Sequence, residues 1–171
     1  MKKEILDLVE KLRNTEELKQ FGGRLCREHG SEAVVDDSIA SWYNLKPDDF
    51  YNSQRVGKRP PAVDCLITCQ CKKHKYDHYL VELKSAETSL TNEWDQIYRK
   101  FENTIEKFMF TDFANIFLIQ SAFAIRLVVV HRIKEYDLQL ATKKLFSESL
   151  KIQNLTLYIG LEQSPYTIKK C

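Results

Sequence analysis

Apolar and polar positions alternate with different periods along this chain, and the changes of period mark its elements. Ile5, Leu8, Val9 and Leu12 fall at helical spacing and predict a short amphipathic helix. Asn14, with Glu17 three residues on, resembles a capping box and predicts a second helix. Its apolar stripe is Leu18, Phe21, Leu25 and Cys26, and Gly30 is its stop. Residues 36–60 have no clean period. Ser38 to Leu45 reads as a strand or as a helical turn, 46–49 as a turn or a helix start, Phe50 to Val56 as the first strand of a sheet, and 57–61 as a loop. From Asp64 to Cys71 and again from Tyr79 to Lys84 the run is apolar and β-branched, with a polar turn around His74, which predicts a β-hairpin.

The strand period of two sorts the hairpin into faces. Asp64, Leu66 and Thr68 share one, and Cys65, Ile67 and Cys69 the other. Glu82 and Lys84 share a face opposite that of Val81 and Leu83. A turn centred near His74 sets Asp64 roughly opposite Glu82 or Lys84, with Cβ atoms about 5 Å apart. Beyond the hairpin, Trp94, Ile97, Tyr98, Phe101, Ile105, Phe108 and Met109 recur at steps of three and four and predict the clearest helix, capped by Ser89, Thr91 or Asn92. Strands are predicted at 115–120 and 125–131. A final helix is expected through Leu138, Ala141, Leu145 and Phe146, then a strand through Leu155, Leu157 and Ile159 that stops at Gly160. From Glu162 to Cys171 a loose tail is expected, ending in an exposed thiol.

Composition narrows the class. A length of 171 residues with 43% hydrophobic positions predicts one globular domain over 1–171. It is read as N-terminal helices within 1–30, a core over about 20–120 and a C-terminal extension over about 121–171. A net charge of +2 neither demands nor excludes nucleic acid, so phosphate binding has to come from local basic clusters. No apolar run is long enough to span a bilayer, and the mixed charges of the first residues do not form a signal-peptide core, so no membrane is expected. Five cysteines without framework spacing point to a reducing, cytoplasmic or nucleoid-associated setting.

Asp64, Glu82 and Lys84 converging on an apolar layer have a definite chemical use. Two carboxylates with open positions suit Mg²⁺ held together with a phosphate. The ion lowers the pKa of a bound water, and a neighbouring lysine orients it. Asp64 followed by Glu82-Leu83-Lys84 resembles the signature of the PD-(D/E)XK nuclease superfamily, over residues about 20–120. Val63 stands where that signature has proline, with Pro60 and Pro61 just upstream. A second Glu-x-Lys, Glu17 to Lys19, lies in a helical stretch with no carboxylate strand before it.

The resemblance implies an α/β, restriction-endonuclease-like αβββαβ core: a mixed central sheet flanked by helices, here with C-terminal strand, helix and strand additions. It implies Mg²⁺-dependent phosphodiester hydrolysis, with Mn²⁺ able to substitute, by a DNA endonuclease of restriction, defence or DNA-processing type. The products would carry 5′-phosphate and 3′-hydroxyl ends. Asp64, Glu82 and the Leu83 carbonyl would hold the metal, and Lys84 would position the attacking water. Glu28, His29 and Glu32 are candidates for an additional ligand or orienting group. Gln96 and Lys100, on the following helix, match in type the residues that face the site in some branches. A homodimer follows by analogy to the fold.

Arg55, Lys58 and Arg59, with Lys100, are placed to meet a phosphate backbone, although a solvated loop accounts for the first three equally. Competing readings share the same residues. A non-catalytic nucleic-acid or protein-binding module of this fold is the main alternative, and a solvated strand edge would also explain Glu82 and Lys84. Cys69-x-Cys71-x-x-His74-x-x-x-His78 has zinc-ligand types but not the usual spacing, and no zinc is expected. A Cys71 nucleophile would lack a preorganised pocket at a turn. No phosphate-cradling glycine loop or dinucleotide fingerprint occurs.

Overall fold

The computed structural model describes residues 7–23, 25–55, 57, 59–118, 123–145, 149–169 and 171. The chain opens with α1 (Leu8–Asn14), capped by Asp7, whose carboxylate accepts from the Val9 N–H at 2.9 Å. After a short α2 (Glu16–Lys19) come β1 (Cys26–Glu28), β2 (Ser31–Val35) and β3 (Trp42–Leu45). Helix α3 (Pro47–Ser53) leads to the long hairpin of β4 (Cys65–Lys72) and β5 (Lys75–Leu83). Helix α4 (Leu90–Asn103) continues into a π-helical segment, Thr104–Asp112, and then α5 (Ala114–Phe117). The chain finishes with β6 (Phe123–His131), α6 (Glu135–Leu145), β7 (Leu150–Ile152), β8 (Leu155–Leu157), β9 (Ile159–Gln163) and β10 (Tyr166–Ile168).

The architecture is mixed α/β. Its centre is a five-stranded sheet in the order β3-β4-β5-β6-β9. The first three strands form an antiparallel meander, and β6 and β9 add to it in parallel. The step from β5 to parallel β6 needs a crossover, which α4 and the π-helical segment supply. Both sheet faces are covered. On one, Leu66, Tyr76 and Leu80 pack under Trp94, Ile97, Phe101 and Phe108. On the other, Cys65, Ile67, Val81 and Leu83 meet Cys26, Ala33 and Ile168 of a small sheet ordered β1-β2-β10. Two-sided cover explains why almost every position of β5 is buried rather than alternating with solvent.

Several sequence expectations are corrected by this arrangement. The second helix ends at Lys19, and Cys26–Glu28 is a strand. There the apolar residues are needed on one side of a sheet, not along a helical stripe. The turn or helix start expected at 46–49 is a helix, and it runs on to Ser53, so residues 50–53 are helical rather than part of a strand. Pro47 sits at the first turn, where its missing N–H costs nothing, and Val56 lies outside the described residues. The first meander strand is therefore β3. Residues 114–117 form α5 instead of a strand, and β6 follows the crossover in its place. Ile5 and Phe146, assigned to predicted helices, lie outside the described residues.

The expected loose tail is also corrected. Tyr166–Ile168 pairs in parallel with β2, and Ile168 is fully buried. Cys171 bonds to Cys71, and Cys26 to Cys65, with Cα separations of 5.4 and 6.0 Å. The free cysteine is Cys69, buried, its thiol pushed up to about 12 first by burial and then by Asp77. Zinc-type residues of the hairpin are dispersed. Cys71 is tied to Cys171, while Cys69 and His78 lie on opposite faces. Burial lowers His78 to about 3, and its Nδ1 meets Thr68 Oγ1 at 2.9 Å.

Two measurements check this fold. Alkylation of unreduced, denatured protein is expected to label one cysteine, Cys69; labelling of all five would remove the disulfides. Thr104 Oγ1 accepts from the buried Val63 N–H at 3.0 Å and donates to the Lys100 carbonyl at 2.7 Å, which staples α4 to the residue before Asp64. Thr104→Val leaves that N–H unpaired and is expected to cost about 1–3 kcal/mol in urea unfolding; an unchanged midpoint would show the bond is not formed.

Candidate active site at the end of the hairpin

The β4–β5 register pairs Cys65 with Val81, so the next step outward sets Asp64 against Glu82. Of the two alternatives open in the sequence, Glu82 rather than Lys84 is the partner. Asp64 is 8% exposed and Glu82 1%. They form the floor of a cleft of about 210 Å³, with Leu83, Lys84, Ser85, Thr88, Glu93, Lys100 and His29 around it. Its rim comes from three places. The strand end gives Lys84, α4 gives Glu93 and Lys100, and the β1–β2 hairpin gives His29. That hairpin turns through His29 and Gly30, both at positive φ (51° and 79°), the geometry of a tight two-residue turn. Ser31 Oγ donates to the Lys84 carbonyl at 2.6 Å and ties the turn to the strand end.

Each carboxylate has one oxygen engaged and one available. Asp64 Oδ2 accepts from the Leu83 N–H at 2.7 Å, while Oδ1 lies 3.9 Å from Lys100 Nζ. Glu82 Oε1 receives Lys100 Nζ at 2.7 Å and stands 3.0 Å from Lys84 Nζ. Glu82 Oε2 is buried with no hydrogen-bond partner. Lys84 also reaches Glu93 Oε2 at 2.8 Å. An orphaned, buried carboxylate oxygen beside a second free one is an arrangement that a hard, oxygen-seeking cation fits.

Burial dominates the electrostatics. It raises Asp64, and with Asp64's charge alongside it raises Glu82 to about 7, against the pull of the two lysines. Burial also works against the charge on Lys84 and Lys100. The surrounding carboxylates outweigh it, so both lysines are raised and stay protonated. Burial raises Asp48 as well, and its carboxylate feels both Lys100 and Asp64.

The sequence candidates divide clearly. Asp64, Glu82, Leu83, Lys84 and Lys100 converge, and His29 joins them at the rim. Of the two roles expected of Lys100, a group facing the site and a contact to a phosphate backbone, the structure sets it beside the carboxylates, 2.7 Å from Glu82 Oε1. Glu28 is close enough to oppose the charge on Asp64, but its side chain is 45% exposed and pairs with His29 at 3.5 Å. Glu32 is turned away, with its Oε2 held by Arg27 at 2.5 and 2.8 Å. Neither Glu28 nor Glu32 completes with Asp64 and Glu82 a group of ligand atoms within 4.8 Å of one another; among the described residues so compact a group occurs only at Cys71, Asp77 and Cys171, where both cysteines are bonded. Gln96 is exposed on α4 and does not line the cleft. Arg55 and Arg59 are exposed, and Lys58 lies outside the described residues.

Glu93 and Asp48 were missed. Glu93 stands seven positions before Lys100, two helical turns away on the same stripe, and that spacing was a readable signal. Asp48 had none: it falls in the turn or helix start read over 46–49, and nothing in that pattern aims it at the carboxylates. No protein-family model, no curated protein and no solved structure matches this chain.

The titration of Glu82 has a sign that can be measured. A carboxyl raised from 4.5 to about 7 on folding stabilises the fold fully below pH 4.5, and that contribution is lost as pH rises through about 7. In chelator, the melting temperature is expected to fall between pH 5 and 8, with Glu82→Gln flattening the decline. An identical decline in that variant would show that Glu82 does not carry it.

Proposed function

We propose that this protein is a metal-dependent phosphodiesterase acting on nucleic acid, a nuclease on a restriction-endonuclease-like core. The observation that carries the reading is the pairing of two buried carboxylates, Asp64 and Glu82, across the β4–β5 hairpin, with Lys84 Nζ 3.0 Å from Glu82 in the same cleft. Support for that core comes from the antiparallel meander β3-β4-β5, the crossover through α4 and the parallel strand β6, with β1, β2 and α3 as insertions before and within the meander.

Bound Mg²⁺ or Mn²⁺ would supply a Lewis acid for the phosphoryl oxygens and a water of lowered pKa. Asp64 Oδ1 and Glu82 Oε2 are the side-chain oxygens free to hold it, with the Leu83 carbonyl as the third donor from the signature. Lys84 is held by Glu82 and Glu93. Its raised pKa makes it a hydrogen-bond donor rather than a base, so it orients the attacking oxygen and steadies phosphate charge. Lys100 adds a second ammonium on the same Glu82 oxygen, Oε1.

DNA as substrate, endonucleolytic cutting and a homodimer rest on the resemblance alone. No helix among the described residues is long and apolar enough to cross a membrane. The two disulfides pull against the reducing setting expected from cysteine spacing, because such bonds persist mainly in oxidising compartments. A binding module is favoured by one feature: Lys84 and Lys100 already offset the charges of Asp64 and Glu82 without any ligand.

Incubation with supercoiled, linear, branched and single-stranded DNA and with RNA, in Mn²⁺, Mg²⁺ or chelator, separates these readings. Metal-dependent cutting is expected, falling about 10²- to 10³-fold in both Asp64→Ala and Lys84→Ala. Absence of cutting on every substrate would favour the binding module. Cutting that survives both substitutions would remove this site.

A further inference from the structure

Resting on the nuclease reading, we propose that this centre takes one divalent cation per chain, and that Lys100 supplies from the protein itself the second positive charge facing the phosphate. The argument begins with an oxygen inventory. Of the four carboxylate oxygens of Asp64 and Glu82, Asp64 Oδ2 is committed to the Leu83 N–H, and Glu82 Oε1 to Lys100 and Lys84. Only Asp64 Oδ1 and the unpartnered Glu82 Oε2 remain. Two side-chain oxygens suit a single Mg²⁺, which keeps several waters of its own.

Two-metal centres hold their ions about 3.5–4 Å apart, bridged by shared ligands. Here Lys100 Nζ, 2.7 Å from Glu82 Oε1 and 3.9 Å from Asp64 Oδ1, already stands against both carboxylates that would have to be shared. Among the described residues, no third His, Cys, Asp or Glu completes a compact set of ligand atoms around this pair. Charge gives the same answer. Among the groups in direct ion pairs, Asp64, Glu82 and Glu93 stand against Lys84 and Lys100, which leaves one negative charge over, with Asp48 and Glu28 acting from outside the pairs. One divalent ion turns that sum to a single positive charge, which one phosphodiester neutralises. A second ion would sit against two ammoniums in a poorly screened cleft.

Lys100 is also fixed in place. Its neighbours Ile97 and Phe101 are fully buried, and the Thr104 hydroxyl joins its carbonyl to the residue preceding Asp64. An ammonium so anchored is a permanent part of the centre. It competes with a metal for Glu82 but stays to meet the phosphate.

The test is a count. Wild-type protein titrated with Mn²⁺ alone, with free ion followed by electron paramagnetic resonance, is expected to bind one ion per chain, lost in Asp64→Ala. Lys100→Met is expected to keep that ion, bound at least as tightly, while cleavage at saturating Mn²⁺ falls at least 100-fold. Lys100→Arg should recover part of the loss. Two ions per chain, both lost in Asp64→Ala, would overturn this proposal and leave the nuclease reading standing. No bound ion would overturn both. Cleavage by Lys100→Met at the wild-type rate would overturn the role of Lys100. Should that variant fail to fold, the wild-type count decides.

Discussion

Everything at the site follows from placing two carboxylates side by side where water hardly reaches. Burying one ionised carboxylate is costly, and burying two together adds their repulsion. The chain answers with backbone and charge. One Asp64 oxygen receives a main-chain N–H, and one Glu82 oxygen receives two ammoniums. Removing one partner from such a cluster leaves the others uncompensated, which is why the positions of β5, α4 and the residue before Asp64 are bound to one another.

The fold reads as the means of keeping that cluster in register. A hairpin covered on both faces cannot slip by one residue without exchanging its apolar sides. Helix α4 delivers Glu93 and Lys100 from one stripe, and its buried face of Trp94, Ile97 and Phe101 sets the angle of that stripe. On the opposite side, the Cys26–Cys65 bond attaches β1 to the residue adjoining Asp64. The His29 turn therefore shares its anchorage with the carboxylates.

Most of this was legible wherever period and chemistry agreed. The alternation through Asp64, Leu66 and Thr68 fixed the faces, and the turn at His74 nearly fixed the register. The seven apolar positions from Trp94 to Met109 marked the central helix. Reading failed where local pattern and tertiary need diverged. Leu18, Phe21, Leu25 and Cys26 keep helical spacing, yet Cys26 is drawn into a strand by its bond to Cys65 and by β2. Phe117 and its apolar neighbours resemble a buried strand, but they close a helical segment against Phe108. Short apolar runs do not distinguish the two. Gln96 and Lys100 were both expected to face the site, and type and spacing did not choose between them; the helix turns Lys100 to Glu82 and leaves Gln96 exposed.

The parallel pairing of β10 with β2 carries a kinetic consequence. Ala33 and Tyr166 are neighbours in the small sheet although nearly the whole chain separates them. Contacts so distant in sequence form slowly, since the intervening loop must be ordered first. The hairpin bearing His29 belongs to that sheet. During synthesis, the carboxylate floor and the β1–β2 hairpin can assemble before β10 has emerged, whereas the small sheet behind the His29 turn gains its third strand only afterwards. The backing of the cleft wall is thus completed after its floor.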